Sequence, residues 1–256
     1  MQAETANLPH WRDEAAYAPL LDADRFFFAW EWLRRDPQYL AAAEEALSSG
    51  PRDSDNAGAR RFGLVAFEAP QLGVPDARPI WRSDIHPFVV MAEPGKTDAA
   101  VDALAWGRFS TITRVIAIED AEHLLLSDGL RAIRLDGPPG AFSSEPFCLR
   151  YAIEGLASAE PPLLTLRRFL VLFRMGHFSR SLHPREVRAR RWIMMLRAHD
   201  ALVAGADQRQ IASELFSGSV AEPCWRSREP SVRSRVQRLV RSARRFALGG
   251  YRLLLR

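Results

Sequence analysis

Six arginines recur between Ser231 and Ala247 at spacings that suit one chemistry: Arg233, Arg235, Arg238, Arg241, Arg244 and Arg245. A guanidinium presents its N–H donors in a planar fork that matches phosphate oxygens or the O6/N7 edge of guanine, and it stays charged at any physiological pH. Between them, Val232, Val236, Leu239, Val240, Ala243, Phe246 and Ala247 fall at i, i+4, i+7, i+8, i+11, i+14 and i+15. At about 100° per residue these seven share one arc, so the spacing predicts a helix with a dry face and an opposite basic face completed by Ser231, Ser234 and Gln237. No carboxylate interrupts the segment. Solvated helices usually set opposite charges four residues apart, and six like charges without such partners repel one another unless a polyanion neutralises them. Pro230-Ser231 supplies a start signal and Gly249-Gly250 a stop.

The placement of charge along the chain points the same way. Up to Glu160 there are 15 basic and 25 acidic residues, and beyond it 20 and 6, so the overall +4 conceals an acidic body followed by a strongly basic segment. Lys96 is the only lysine, which suggests a genomic bias toward arginine and leaves position, rather than residue type, as the informative quantity. A basic block of this kind is the electrostatic footprint of a nucleic-acid binder.

Two further helices are expected just upstream. His183 to Leu202 carries Val187, Trp192, Ile193, Met195, Leu196 and Leu202 on an apolar side and is closed by Gly205; Asp207 then N-caps a short helix that turns Ile211, Ala212, Leu215 and Phe216 inward. Three helices with the last one basic form a helix-turn-helix layout, in which the helix from Ser231 would enter the major groove of double-stranded DNA. The connection from Ser217 to Pro230 is longer than the usual three or four residues; either Trp225 packs it onto the helices, the favoured reading, or it is an insertion that departs from the simple motif. The expected backbone contacts are Arg226, Arg228, Arg244 and Arg245. Ser231, Arg233, Ser234, Arg235, Gln237, Arg238 and Arg241 are candidates for base edges or flanking phosphates, and Arg209 on the preceding helix joins the DNA-binding set.

Ahead of this region the chain reads as α+β. Trp11 to Tyr17, Ala23 to Leu33 and Gln38 to Leu47 are expected helices, followed by a linker from Ser48 to Ala59 rich in Ser, Gly, Asp and Asn. The second helix concentrates Phe26, Phe27, Phe28, Trp30 and Trp32, more than one face can bury, so its rings serve either a core between helices or a partner surface. Short alternating or apolar runs at Phe62–Phe67, Phe88–Ala92, Arg114–Ile118, His123–Leu126, Leu130–Leu135 and Phe147–Ile153 predict a small antiparallel sheet, with a hairpin turn at Ser127-Asp128-Gly129. Leu163 to Phe173 reads as a helix joining the sheet to the basic region, with Arg167 and Arg168 on its wet side. The domain division expected is a helical module over 1–50, a β-rich middle over 60–160 and a basic helical DNA-binding domain over 161–256.

The stretch HLLLSDGLRAIRL from His123, the IASELF helix and RSRVQRLVRSARRFALGGYRLLL together resemble the proteobacterial RovC-like transcription-factor DNA-binding family. WRDEAAYAPLLDADRFFFAWEWLRRDPQYLAA, with FGLVAFEAPQLGVPDARPIWRSDIHPF after it, is similar to a transcriptional-regulator-like module found ahead of that domain. The resemblance implies a bacterial regulator that binds DNA through its C-terminal domain. Some members of such families control mobile integrative elements or secretion genes, and others act by binding a partner regulator. No catalytic residue comes with it.

Other chemistries find little support. The six histidines are isolated, and neither His177 with His183 nor His199-Asp200 offers zinc-ligand geometry, so no metal is expected. Asp84-Ile85-His86-Pro87 has no companion nucleophile motif and reads as a turn; Gly137 to Gly140 lacks the Lys and Ser/Thr of a phosphate loop. The expectation is therefore a protein that is not an enzyme and uses no cofactor. No apolar run is long enough to span a membrane, and two cysteines, Cys148 and Cys224, suit a reducing cytoplasm. A rival reading is an antiactivator that docks on another transcription regulator without specific DNA binding. Beside DNA, a partner regulator or RNA polymerase and a homo-oligomer remain open, as does the effector.

Overall fold

The computed structural model describes residues 8–48, 53–95, 105, 107–118, 120–142, 148–216 and 230–256. The chain folds as two compact units. One comprises Met1–Glu45, Ala69–Val74 and Arg185–Leu255, the other Ala46–Glu68, Pro75–Pro184 and Arg256.

The second of these is built on a five-stranded sheet. Its strands are β1 (Val89–Gly95), β2 (Thr113–Ile118), β3 (Ala121–Ser127), β4 (Ala132–Gly137) and β5 (Cys148–Ala152), in the spatial order β2-β3-β4-β1-β5. The pairs β2–β3, β3–β4 and β1–β5 are antiparallel as expected, whereas β1 and β4 run parallel. Between β1 and β4 the chain has the whole β2–β3–β4 meander in which to reverse, and a parallel pair requires a long connection of that kind. The β3–β4 hairpin closes as anticipated at Ser127-Asp128-Gly129: Asp128 Oδ1 accepts the amides of Leu130 and Arg131 at 2.9 and 2.7 Å. Gly129 has φ +88°, and a Cβ there would meet the Pro75 carbonyl oxygen at 1.8 Å, so no other residue fits.

Alternation along β3 and β4 sends Leu124, Leu126, Ile133 and Leu135 to one face, where helix α4 (Glu160–Met175) covers them with Phe169 and Leu172. Val65, Ile80, Ile118 and Leu125 form a smaller apolar cluster. Three expectations are corrected in this unit. Phe62–Phe67 is not a strand but contributes a single bridge, Leu64 to Trp81. Half of the expected Ser48–Ala59 linker is helix α3 (Asp53–Arg61), whose Ala59 is fully buried; tertiary burial overrides its loop-like composition. Arg168 is half-buried rather than wet, donating from Nε to the Leu182 carbonyl at 2.9 Å.

The other unit is helical. A 3-10 helix over Ala15–Asp22 replaces the helix expected at Trp11–Tyr17, and is followed by α1 (Arg25–Leu33) and α2 (Pro37–Ser48). After the excursion through the sheet come α5 (Ala189–Val203), α6 (Gln208–Leu215), α7 (Pro230–Ala247) and a final 3-10 helix, Gly250–Leu255. Helix α1 is buried on all sides: every residue from Phe26 to Leu33 is inaccessible, so the aromatic helix is core. It packs against Gly250–Leu255, α5 and α7. Phe28 meets Trp192 edge-on at 5.0 Å, Trp30 meets Tyr39 at 5.6 Å, and Trp32 meets Phe246 at 5.6 Å. A helix apolar all round has to lie in the middle of its unit, which is why segments so distant in sequence pack around it.

Candidate nucleic-acid interface

Helix α5 begins at Ala189, six residues later than the sequence suggested. Glu186 accepts the Arg188 amide on its side chain at 3.1 Å and the Ala189 amide on its carbonyl at 3.0 Å, and this local turn takes the place of a first helical turn. Val187 is consequently 96% exposed instead of facing the core. Beyond it Trp192, Ile193, Met195 and Leu196 are buried as expected. Gly205, at φ +80°, ends the helix in the left-handed conformation. Helix α6 starts on a capping box: Asp207 Oδ1 accepts the Gln210 amide at 2.7 Å, and Gln210 Oε1 accepts the Asp207 amide at 2.9 Å. Its Ile211 and Ala212 are fully buried, while Leu215 and Phe216 are partly so.

Helix α7 follows the sequence pattern closely. Val232, Val236, Leu239, Val240, Ala243 and Phe246 are buried against α5, α6 and α1. Arg233, Ser234, Arg235, Gln237, Arg238, Arg241, Arg244 and Arg245 are all exposed. Among the described residues no carboxylate forms an ion pair with these arginines. The arginines are not equivalent, however. Arg235 lies at the edge of the face with its guanidinium 4.7 Å from the centre of the Phe216 ring, a cation–π contact that ties the start of α7 to the end of α6. Ser231 belongs to the first turn of α7, and Arg209 is exposed on α6. Arg226 and Arg228 lie outside the described residues, as do Trp225 and Cys224.

A buried polar network, absent from the sequence reading, holds this helical unit together. Asp200 of α5 receives Arg35 Nε on Oδ1 at 2.7 Å and Arg35 Nη2 on Oδ2 at 2.8 Å, while the Tyr17 hydroxyl donates to Oδ2 at 2.7 Å. Arg35 Nη1 donates to the Glu31 carboxylate at 2.6 Å, and Arg34 Nε does so at 2.9 Å. Glu31 Oε1 accepts the Val74 amide at 3.0 Å, and Arg34 Nη1 reaches the Pro70 carbonyl at 3.1 Å, fixing the Ala69–Val74 segment on α1. Burial pushes the Tyr17 phenol well above its ordinary value, and the adjoining Asp200 charge adds to that. Burial also works against an ionised Glu31, but the charges of Arg34 and Arg35 outweigh it and hold the carboxyl below its usual range. Arg197 extends the network, donating from Nε to the Trp11 carbonyl at 2.9 Å and from Nη1 to Glu14 at 3.0 Å.

The signal for this network was in the sequence. Glu31 precedes Arg34 and Arg35 by three and four residues at the end of α1, the spacing at which opposite charges pair on a helix. Arg188, Arg190 and Arg191, exposed at the start of α5, were likewise passed over, and they add positive charge to the same unit. The Asp84–His86 segment is a turn held by an Arg82–Asp84 ion pair at 2.9 Å, as its sequence suggested. Among the described residues no cluster of three His, Cys, Asp or Glu side chains is arranged to hold a metal, and no helix is long and apolar enough to cross a membrane.

The exposed face of α7 is strongly basic, the electrostatic footprint of a surface suited to nucleic acid. Comparison with known families agrees: residues 162–256 match the RovC DNA-binding domain, described as a T6SS transcription-factor DNA-binding domain, and residues 10–65 match a proteobacterial transcriptional regulator-like domain. Both matches support a transcriptional regulator, with DNA as its partner. No curated protein matches the chain.

Proposed function

We propose that the chain regulates transcription by binding double-stranded DNA with α7 in the major groove, in a helix-turn-helix-like arrangement of α5, α6 and α7. The observation that carries this reading is the exposed face of α7, where six arginines, Ser234 and Gln237 stand clear of every described carboxylate. At 1.5 Å per residue its 18 residues extend about 27 Å. At about 100° per residue, Ser234, Gln237, Arg238, Arg241 and Arg245 lie nearest the centre of the wet face, and Arg233, Arg244 and Arg235 flank it. The central set is suited to base edges and the flanks to phosphates. Ser231 at the helix start is a further base-edge candidate, while Arg209, Arg226 and Arg228 complete the backbone contacts. In this reading residues 161–256 supply the nucleic-acid contacts, segments 1–50 and 60–160 support and modulate them, and the protein works in the cytoplasm.

The test is fluorescence anisotropy of the full chain on duplexes from its genomic neighbourhood, with scrambled competitor, over a salt series. Retained discrimination at physiological salt, with a log–log salt slope of roughly −0.9 per phosphate neutralised, is the expected result. Indiscriminate binding that vanishes with salt would sink the reading and favour docking on a partner regulator.

A further inference from the structure

Helix α4 has a second face that the sheet does not use. Its buried residues are Thr165, Phe169 and Leu172, the last two in the core of the sheet unit. Counted from Phe169 at about 100° per residue, Leu163 and Leu170 lie about 100–120° round the helix, Arg167 and Arg174 about 140–160°, and Leu164 and Val171 about 200–220°. The outer half of α4 is therefore a line of two arginines with a row of apolar residues on either side. Leu163 is 51% exposed and Leu170 48%, Leu164 and Val171 are half-buried, and both arginines are exposed. The pattern repeats every seven residues, a charged residue followed three and four places later by apolar ones: Glu160 with Leu163 and Leu164, Arg167 with Leu170 and Val171, then Arg174. Seven is the period at which one helix meets another along its length. At 1.5 Å per residue the two arginines stand about 10.5 Å apart along the axis.

A solvated helix face sets polar residues around its cations and carboxylates four places from them. Here the cations are flanked by leucines, and beyond Glu160 in the first turn α4 carries no carboxylate. Among the described residues neither Arg167 nor Arg174 takes part in an ion pair or a hydrogen bond. The charge selects the occupant. A second copy of α4 docked antiparallel over the full face would set Arg167 against its own counterpart, and a parallel one would oppose like charges at every repeat. A nucleic-acid backbone would answer the arginines and leave the leucine rows uncovered. A bilayer surface would take the leucines but would place the arginines in the middle of the apolar contact, where charge is costly.

We propose that the outer face of α4 docks an amphipathic helix of a partner protein, with carboxylates recurring every seven residues opposite Arg167 and Arg174 and apolar side chains closing over Leu163, Leu164, Leu170 and Val171. The apolar rows supply affinity, while the arginine line sets the register and rejects basic helices. This contact is separate from α7, which belongs to the other unit.

Two fluorescent peptides of about three heptads test the proposal. Both carry Leu three and four places after every seventh residue, which is Glu in one and Lys in the other. In anisotropy titrations of the full chain at physiological salt, the Glu peptide is expected to saturate with a Kd below about 100 μM and the Lys peptide to bind at least about tenfold more weakly. Arg167→Glu combined with Arg174→Glu should invert that preference and leave affinity for duplex DNA within about twofold. Leu170→Ser should weaken the Glu peptide by about fivefold or more, whereas Arg238→Ala with Arg241→Ala, on α7, should leave it unchanged. If the charge reversal fails to fold, as judged by circular dichroism, Leu170→Ser and the α7 variant decide. No saturable binding of the Glu peptide, equal binding of both peptides, or a loss in the α7 variant and none in the α4 variants would overturn the assignment. So would a fall in DNA affinity on reversing the two arginines, which would make them a DNA contact. Binding to phosphatidylserine vesicles that Leu170→Ser abolishes would make the face a lipid surface instead. Self-association in sedimentation velocity that Leu170→Ser abolishes would give it to a second copy of the chain.

Discussion

Replacing Asp200 by alanine probes the logic of the helical unit most directly. The substitution removes three hydrogen bonds, two from the Arg35 guanidinium and one from the Tyr17 hydroxyl, at a site where the Arg35 and Asp200 side chains are 2% and 6% exposed. Solvent screening offers no relief at that burial. Arg35 keeps Glu31 as a partner, but Glu31 must then balance Arg34 and Arg35 together. Breaking a buried pair from one side costs about 3–5 kcal/mol, and the Tyr17 phenol, left with only the Pro9 carbonyl at 3.2 Å, adds up to about 1 kcal/mol. The expected loss is thus roughly 3–6 kcal/mol, a large share of the 5–15 kcal/mol typical of a folded protein. Urea unfolding followed by tryptophan fluorescence reports it, since Trp11, Trp30, Trp32 and Trp192 are all buried in this unit. The double variant Arg35→Met with Asp200→Leu should recover most of the loss, because it leaves no uncompensated charge. A loss below about 1 kcal/mol for Asp200→Ala, or a double variant as unstable as the two single losses combined, would refute the reasoning.

Other consequences are open to measurement. Arg238→Ala should weaken specific DNA binding by about 1–3 kcal/mol and relax preference at one position, whereas an equal loss on all sequences would make it a phosphate contact. Arg235→Ala should lower thermal stability as well as DNA affinity, through loss of its contact with Phe216; unchanged stability would discount that contact. The 161–256 fragment alone should be largely unfolded by circular dichroism, since it lacks α1. Phe27, Phe28, Trp30, Trp32 and Leu33 are each at most 1% exposed, and burying side chains of this kind contributes about 1.5–3 kcal/mol apiece. A cooperatively folded fragment would contradict this. Burial raises the Asp136 carboxyl, but the hydrogen bond from His123 and the charge of Arg134 outweigh it, so its net displacement is downward. Its contribution to stability is then complete above the unfolded value of about 3.9 and is lost as pH falls through the lower folded value. Urea midpoints between pH 7 and pH 3 should show an acid-side decline that Asp136→Asn flattens.

The α7 helix was legible from sequence because its two faces are written in period and its ends in Pro and Gly. Alternation gave the five strands for a similar reason, and Asp207 with Gln210 announced the start of α6. What periodicity could not supply was partnership. The aromatic run Phe26 to Trp32 admitted either a core or a partner surface, since choosing required knowing that residues from about 190 to 255 close around it. Helix α3 hid in a loop-like composition because burial of Ala59 is a tertiary fact. The base pattern on α7 was visible, but Asp200, read only as a neighbour of His199, gave no sign that it would meet Arg35.

The wrapping of α5, α7 and Gly250–Leu255 around α1 also sets an order of events during synthesis. Helix α1 ends about 155 residues before α5 begins and about 215 before Gly250–Leu255 begins, an interval of roughly 8–43 s at 5–20 residues per second. Throughout that time Phe28 and Trp32 lack their native partners Trp192 and Phe246, while the sheet unit between can already fold on its own strands. The nascent chain therefore presents a concentrated aromatic segment to whatever binds exposed apolar sequence, and the arginine face of α7 is assembled only after α7 itself has been made. A product truncated before α7 has neither the arginine face nor the helices that complete the cover of α1.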